Sequence, residues 1–527
     1  MALVAALGGI PATDAAAGTA GPIIRPVVTW SISDRFGIDA DGDGLVDIPN
    51  TPEYTHNRAP GSCALRCDAA RFDVRFEAGL TGTPADLGYL PVVAYRWEIS
   101  GAGLPAPRRY LTSAPELEVA LPEGDYTLEV RAAVSFGGFV VETGAVEHFV
   151  VEDLLVVAIG DSYASGEGNP EVGRQPGAAA RWAGSYDPDA AAAHAAAHRS
   201  SLAWPARVAL SLERSSPASS VTFVSVAASG ASIDEGIISP QHGAPAQVDQ
   251  LRDLVGDRRI DVLLIQAGGN DIGFVRVVRS LVEADRMLDP VCYDRLLDNT
   301  FAAVADGDWS RGVSLGYDAP FSIVCRPAVS TKGLSRLPGL LGLPAAFARL
   351  DDHLASLDVG RVVLVGYPDP TGSAAGEETC GEIVGDTTPP FHFNEINRHE
   401  QELGVALVLE PLNKALRAAA GVRGWDYVDG VAEAFAAGHG YCAPWPDYEP
   451  PGGTGDDSLD HPGGWYHNAG AGDLPTLAGE ASVTWYRTAA QSTALQGESP
   501  AHTDGTLHPN ELGHDAIARL VLTRLGD

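Results

Sequence analysis

Residues 154–170 read LLVVAIGDSYASGEGNP. Six apolar residues, Leu154 to Ile159, run unbroken into Gly160, Asp161, Ser162 and Tyr163. A strand that is apolar at every position has both faces buried, as in a parallel sheet covered by helices on each side. The polar turn behind it sets Ser162 at the carboxyl end of the strand, the edge at which open α/β sheets hold their sites.

Downstream the same rhythm recurs. Val221–Val226, Asp261–Gln266, Arg361–Gly366 and a short Asp426–Val428 are further strands. Helical spacing lies between them, as in Val248, Leu251, Leu254 and Val255 ahead of Gly256. Alternating strands and helices predict a three-layer α/β/α domain over 153–527. Upstream, 22–152 carries β-like runs at Val27–Ile32, Phe72–Phe76, Pro91–Ile99, Leu117–Ala120, Tyr126–Val134 and Val140–Val151, with Leu121–Asp125 as a turn. Regular strands without an amphipathic helix predict a β-sandwich. Residues 1–21 read as unstructured, and 289–340 and 438–505 as long loops rich in Gly, Pro, Asp and aromatics.

The 527 residues suffice for two large cores. Acidic residues number 69 against 35 basic ones, a net charge of −34, and the only lysines are Lys332 and Lys414. Such a surface repels a nucleic-acid backbone, so polynucleotide binding is excluded. No apolar run reaches the ~18 to 20 residues of a membrane span. The six cysteines (63, 67, 292, 325, 380, 442) are even in number and lack a CxxC pair, which favours disulfides and export over zinc or redox chemistry. Fifteen pairings are formally open, and proximity favours 63 with 67, 292 with 325 and 380 with 442. Met1–Ile10 is apolar but lacks the basic start of an export signal.

Four short motifs fall at strand ends or before a helix. Gly160–Tyr163 presents a serine, Ala228–Ala231 a glycine that lets backbone N–H groups approach a ligand, and Gly268–Asp271 the Asn270 amide. Asp504–Asn510 presents His508 before a final helix with Leu512, Ile517, Leu520 and Val521 on its apolar face. Singly each is an ordinary turn or helix cap. Together, Ser, Gly, Asn and a late His in this order resemble the SGNH, or GDSL-type, esterase and lipase superfamily, and Gly160–Pro170 is similar to its exported actinobacterial branch. The resemblance spans about 153–527. It implies Ser162 as nucleophile, His508 as base, and the Ser162 and Gly230 N–H groups with the Asn270 amide as an oxyanion hole. The residue types suit that chemistry unaided. A hydroxyl needs a base to become a nucleophile, neutral imidazole serves near pH 7, and fixed N–H donors stabilise the oxyanion.

The chain departs from the family twice. The usual acid three residues before the His is Gly505 here, and Asp504 lies four before; either Asp504 or a backbone carbonyl orients His508. Where relatives read CHRS and ACSGA, this chain has Ala197 and Ala228 in place of both cysteines, as the loss of one disulfide would leave it.

Other patterns are weaker. Gly312–Gly316 matches GxSxG without the strand and helix that motif needs. His194 and His198 share a helical face but lack further metal ligands, so they read as a solvated surface, and His399-Glu400 lacks a second His. Asp39, Asp41, Asp43 and Asp47 form DxDxDGxxD, either a calcium loop or a metal-free turn held by its own Asp side chains, with Asn50 where an EF-hand has Glu. The sandwich resembles a PKD or immunoglobulin-like module through its strand rhythm and Tyr95-Arg96-Trp97.

The expectation is therefore an exported esterase or lipase that needs no catalytic cofactor and carries a structural calcium ion if the acidic loop binds one. Its partner is an ester substrate, with oligomeric state open. A carbohydrate acetyl esterase is the rival within the enzymes, and a non-catalytic surface-binding protein the rival outside them. Trp445, Trp465, Tyr466, Trp485 and Tyr486 serve as apolar wall or sugar platform.

Overall fold

The computed structural model describes residues 25–32, 72–81, 92–101, 103–136, 138–170, 173–174, 177–180, 182, 197–218, 220–256, 258–273, 339–372, 383–384, 396–441, 443, 484–487, 489–496 and 504–526. The segment 1–21, the acidic loop with Asp39, Asp41, Asp43 and Asp47, all six cysteines, His194, Gly312–Gly316, Trp445, Trp465 and Tyr466 lie outside them. The described residues form two compact units, one from 25–32, 72–154 and 210–222, the other from 155–209 and 223–526.

The first unit contains seven strands: β1 (Arg25–Ile32), β2 (Phe72–Thr81), β3 (Val92–Gly101), β4 (Arg108–Thr112), β5 (Glu116–Leu121), β6 (Gly124–Phe136) and β7 (Phe139–Val151). They pair antiparallel into two sheets, β1-β2-β5 and β4-β3-β6-β7. Alternate residues point inward, so Phe72, Val74 and Phe76 of one sheet share a core with Tyr95, Trp97, Ile99, Leu128 and Val130 of the other. The chain changes sheet between β5 and β6, where the Tyr126 hydroxyl donates to the Pro122 carbonyl at 2.7 Å. Only β4 lacks a counterpart in the sequence expectation. Its sequence, RRYLT, has no buried position and sits at a sheet edge, so burial imposed no apolar alternation.

The second architecture is a five-stranded sheet of order β14-β11-β10-β8-β9. Its strands are β8 (Asp153–Gly160), β9 (Ser220–Ser225), β10 (Ile260–Gln266), β11 (Val359–Val365) and β14 (Asp426–Val428); β12 (Ile383–Val384) and β13 (Ile396–Asn397) form a separate ribbon. The pairs β8–β10, β10–β11 and β11–β14 are parallel. Consecutive residues Leu155–Ile159 and Val262–Ile265 are all buried, which requires both faces of the sheet to be covered.

The helices are α1 (Ser162–Ser165), α2 (Trp204–Arg214), α3 (Gln247–Val255), α4 (Gly339–Leu354), α5 (Arg398–Gly404), α6 (Glu410–Arg423), α7 (Val431–Ala436), α8 (Ala489–Gln496) and α9 (Glu511–Gly526), with a π turn at 405–409 between α5 and α6. Val248, Leu251 and Val255 of α3 are buried, as their spacing requires, and Leu254 lies at the edge of that face. Asn510 caps α9, its Oδ1 accepting from the N–H groups of Leu512 (3.0 Å) and Gly513 (3.1 Å). Among the described residues no helix is long and apolar enough to cross a membrane.

Candidate active site

Parallel pairing brings three loops to one edge of the sheet. The register sets Gln266 of β10 beside Gly160 of β8, and Asp161 N–H donates to the Gln266 carbonyl at 3.0 Å. On the other side Ala228 N–H donates to the Gly160 carbonyl at 3.1 Å. The turns after β8, β9 and β10 therefore leave the sheet side by side, carrying Ser162, Gly230 and Asn270.

Asp161 caps α1 by accepting from Tyr163 N–H at 3.0 Å, which makes Ser162 the first residue of the helix. The loop ahead of α9 supplies the partner: His508 Nε2 lies 2.7 Å from Ser162 Oγ. His508 Nδ1 faces the Thr506 carbonyl at 3.2 Å. A carbonyl only accepts, so the ring proton sits on Nδ1 and Nε2 is free to accept from the hydroxyl. Of the two groups expected to orient His508, the carbonyl is the one found. Asp504 is exposed and acts on His508 through its charge, because the loop turns the Thr506 carbonyl onto Nδ1. Burial holds the His508 pKa below the ordinary imidazole value, against the opposing influence of Glu167 and the loop carbonyls.

The donors expected at an oxyanion are also at this edge. Neither the Ser162 nor the Gly230 N–H forms a hydrogen bond among the described residues. Gly230 has a φ of 75°, a conformation that favours glycine. The Asn270 amide donates to the Ala231 carbonyl at 2.9 Å, which fixes it against the Gly230 loop. Asp271 strengthens that link by accepting from Ile233 N–H, 3.1 Å to each carboxylate oxygen.

The sequence reading missed several residues. The Tyr367 hydroxyl, just past β11, donates to Asp161 and accepts from Gly269 N–H at 2.9 Å, so it clamps the Ser162 turn to the Asn270 loop. Its position at the end of a predicted strand was the available signal. Burial raises the Asp161 carboxyl to about 7 despite the Tyr367 and Tyr163 hydrogen bonds, and likewise raises Asp271 to about 7. Tyr163 lies with its ring 4.8 Å from that of His508 and donates through its hydroxyl to the Leu507 carbonyl at 2.8 Å. Leu507 is held at a φ of 60°, a strained conformation for a bulky residue. Residue 487 bonds to both sides of this loop, Leu507 N–H to the Arg487 carbonyl at 3.1 Å and Arg487 N–H to the His508 carbonyl at 2.9 Å.

Two expectations are corrected. His198 is not on a solvated helical surface. At a φ of 50° it turns inward, stacks on Trp182 with ring centroids 4.5 Å apart, and donates from Nδ1 to the buried Glu167 carboxylate at 2.6 Å. Trp485 and Tyr486 are neither wall nor platform for a substrate. They are 8% and 1% exposed, pack against Phe435, and Trp485 stacks on His439 at 3.7 Å. Ala197 and Ala228 lie on touching segments, since Ser229 N–H donates to the Ala197 carbonyl at 3.0 Å. Arg199 secures the same contact with bonds to the carbonyls of Ala227 (2.8 Å) and Val226 (3.1 Å).

No protein-family model matches the chain, and no curated protein matches it in sequence. Among solved structures, the extracellular lipase from Streptomyces rimosus aligns over 71% of this chain and 100% of its own, at 18% identity and a TM-score of 0.37, a likeness too loose to define fold or activity.

Proposed function

We propose that the chain is an exported serine hydrolase of the SGNH type that cleaves carboxylic esters through an acyl-enzyme. The observation that carries this reading is the 2.7 Å contact between Ser162 Oγ and His508 Nε2 at the carboxyl edge of a parallel sheet. Ser162 Oγ attacks the ester carbonyl as its proton passes to Nε2, and the resulting imidazolium keeps its Nδ1–H on the Thr506 carbonyl. The oxyanion is received by the N–H groups of Ser162 and Gly230 and the Asn270 amide. Collapse of the tetrahedral intermediate expels the alcohol, which takes the proton from Nε2. Water, deprotonated by the same nitrogen, then attacks the acyl-enzyme and releases the acid and free Ser162. No cofactor enters these steps, and the Asp504 charge is an accessory to them.

The immunoglobulin-like assignment of the sandwich is supported by the Tyr126 corner, where a hydroxyl bonds to the backbone four residues upstream as the chain changes sheet. The fourth strand pairs with β3, so the two sheets hold three and four strands. A calcium ion in the Asp39–Asp47 loop belongs to the same proposal. Calcium at millimolar concentration should then raise the melting temperature and Asp41→Ala cancel the gain.

The deciding experiment is covalent trapping. A fluorophosphonate should add once, and peptide mass spectrometry should place it on Ser162; folded protein that stays unlabelled, or is labelled elsewhere, would refute the hydrolase. A panel of p-nitrophenyl esters of rising chain length beside acetylated xylan then separates esterase, lipase and carbohydrate esterase.

A further inference from the structure

The acid expected beside His508 has no room at its usual place. A Cβ on Gly505 would stand 2.6 Å from the Gly168 Cα, 2.6 Å from Gln496 Oε1 and 3.0 Å from Ser492 Oγ. The backbone of the Ser162 turn thus fills the space a side chain would take. A different carboxylate lies behind it. Glu167, fully buried five residues after Ser162, donates its N–H to the Ser162 carbonyl at 3.1 Å.

Three segments around the site meet at that carboxylate. His198 donates to one oxygen at 2.6 Å and Gln496 Nε2 to the other at 2.5 Å. Ser229, the neighbour of Gly230, bonds to it as well. From Gln496 a chain of bonds returns to the base: Ser492 Oγ donates to Gln496 Oε1 at 2.9 Å, Gly505 N–H to Ser492 Oγ at 3.0 Å, and His508 N–H to the Gly505 carbonyl at 3.1 Å. A buried ion held by this many donors is fixed in place, and in a low-dielectric interior its field reaches beyond its hydrogen bonds.

We propose that Glu167 is the positioning carboxylate of this site, supplying across the Ser162 turn the negative charge that balances the His508 imidazolium, with His198 and Gln496 holding it in place. Its charge is the largest influence favouring protonated His508, ahead of that of Asp504. Burial alone would raise the Glu167 carboxyl, but its partners, His198 foremost, hold it down at about 2, so it is ionised wherever His508 titrates. Burial likewise opposes a charge on His198, and the Glu167 hydrogen bond overcomes it and raises that pKa. Of the other titratable groups around the pair, burial raises Tyr163, and burial and nearby cations lower His514.

The inference rests on the hydrolase reading for its purpose but is tested without turnover. Histidine-labelled protein is titrated by NMR, with the His508 ring assigned by its loss in His508→Gln. Glu167→Gln should lower the His508 midpoint by about one pH unit, more than Asp504→Asn does. His198→Gln, which keeps a donor but removes a cation from beside Glu167, should move it up. A midpoint unmoved in Glu167→Gln, or moved further by Asp504→Asn, overturns the proposal; if Glu167→Gln does not fold, an unmoved or lowered midpoint in His198→Gln does so. In turnover assays the acidic limb of kcat/KM should follow the same shift in Glu167→Gln, whereas a merely structural glutamate would lower kcat and leave the limb in place. Shifts in the NMR titration with no hydrolysis of any ester would retain this inference and dismiss the esterase.

Discussion

The turn that carries Ser162 and the loop that carries His508 meet across a 2.7 Å contact and are built in contrasting ways. Sheet register places the first: β8 pairs with β10, the apolar strand ends at Gly160, and Asp161 starts a helix on Ser162. Nothing regular places the second. His508 sits between a strained Leu507 and the helix-capping Asn510, tied to residues 484–487 and, through Ser492 and Gln496, to Glu167. The strand-end turn is held by sheet register and a side-chain clamp from Tyr367, whereas the irregular loop is held by a longer hydrogen-bonded network.

Four measurements break or sharpen that contrast. Ser162→Ala and His508→Ala should each lower kcat on a p-nitrophenyl ester by at least about 10⁴-fold with circular dichroism unchanged; retained turnover in either would separate the contact from catalysis. Asn270→Ala, which removes one preset donor on the sheet-built side, should lower kcat by about 10²- to 10³-fold and leave KM near its original value. A change confined to KM would make Asn270 a substrate-binding residue instead. On the loop side, Asp504→Asn should cost less than about tenfold, because the hydrogen bond at Nδ1 goes to a carbonyl that the substitution leaves intact. A fall of orders of magnitude would restore Asp504 as the acid.

The smallest effect is on stability. The Asp271 carboxyl is raised to about 7 in the folded chain from an ordinary value of 3.8. A raised acid supports the fold at low pH and loses that support as pH climbs through the folded value, so the penalty on wild type grows between about pH 4 and 7 and is complete above that window. Asp271→Asn keeps an acceptor for Ile233 N–H and carries no charge. Its melting temperature relative to wild type should therefore be higher at pH 8 than at pH 5, and a difference that does not change with pH would place the cost elsewhere.

What the sequence disclosed follows the same divide. The strands β8, β9, β10, β11 and β14 were legible to within two residues, and for β8, β9 and β10 the cause is burial on both faces, which tolerates little besides apolar residues. Ser162, Gly230 and Asn270 were legible through the short motifs that follow those runs, taken together in their order along the chain. Strand β4 was not, having no buried position to leave a pattern. Glu167, His198, Tyr367 and Gln496 were hidden for a different reason. Their partners lie 31, 206 and 329 residues away, as in His198 with Glu167, Tyr367 with Asp161 and Gln496 with Glu167, and no local spacing encodes such a meeting. Asp504 stood out because it was near in sequence, and the loop geometry gave its place to a carbonyl.

The distance along the chain between Ser162 and His508, 346 residues, also sets a schedule. At a synthesis rate of about 5 to 20 residues per second, the Ser162 turn leaves the ribosome roughly 20 to 70 seconds before His508. The segments of β8, β9 and β10 are thus all complete before His508 exists, so the contact at Ser162 can form only late. The contact therefore waits for the last stretch of the chain around α9, and on the hydrolase reading Ser162 has no partner until that stretch is in place.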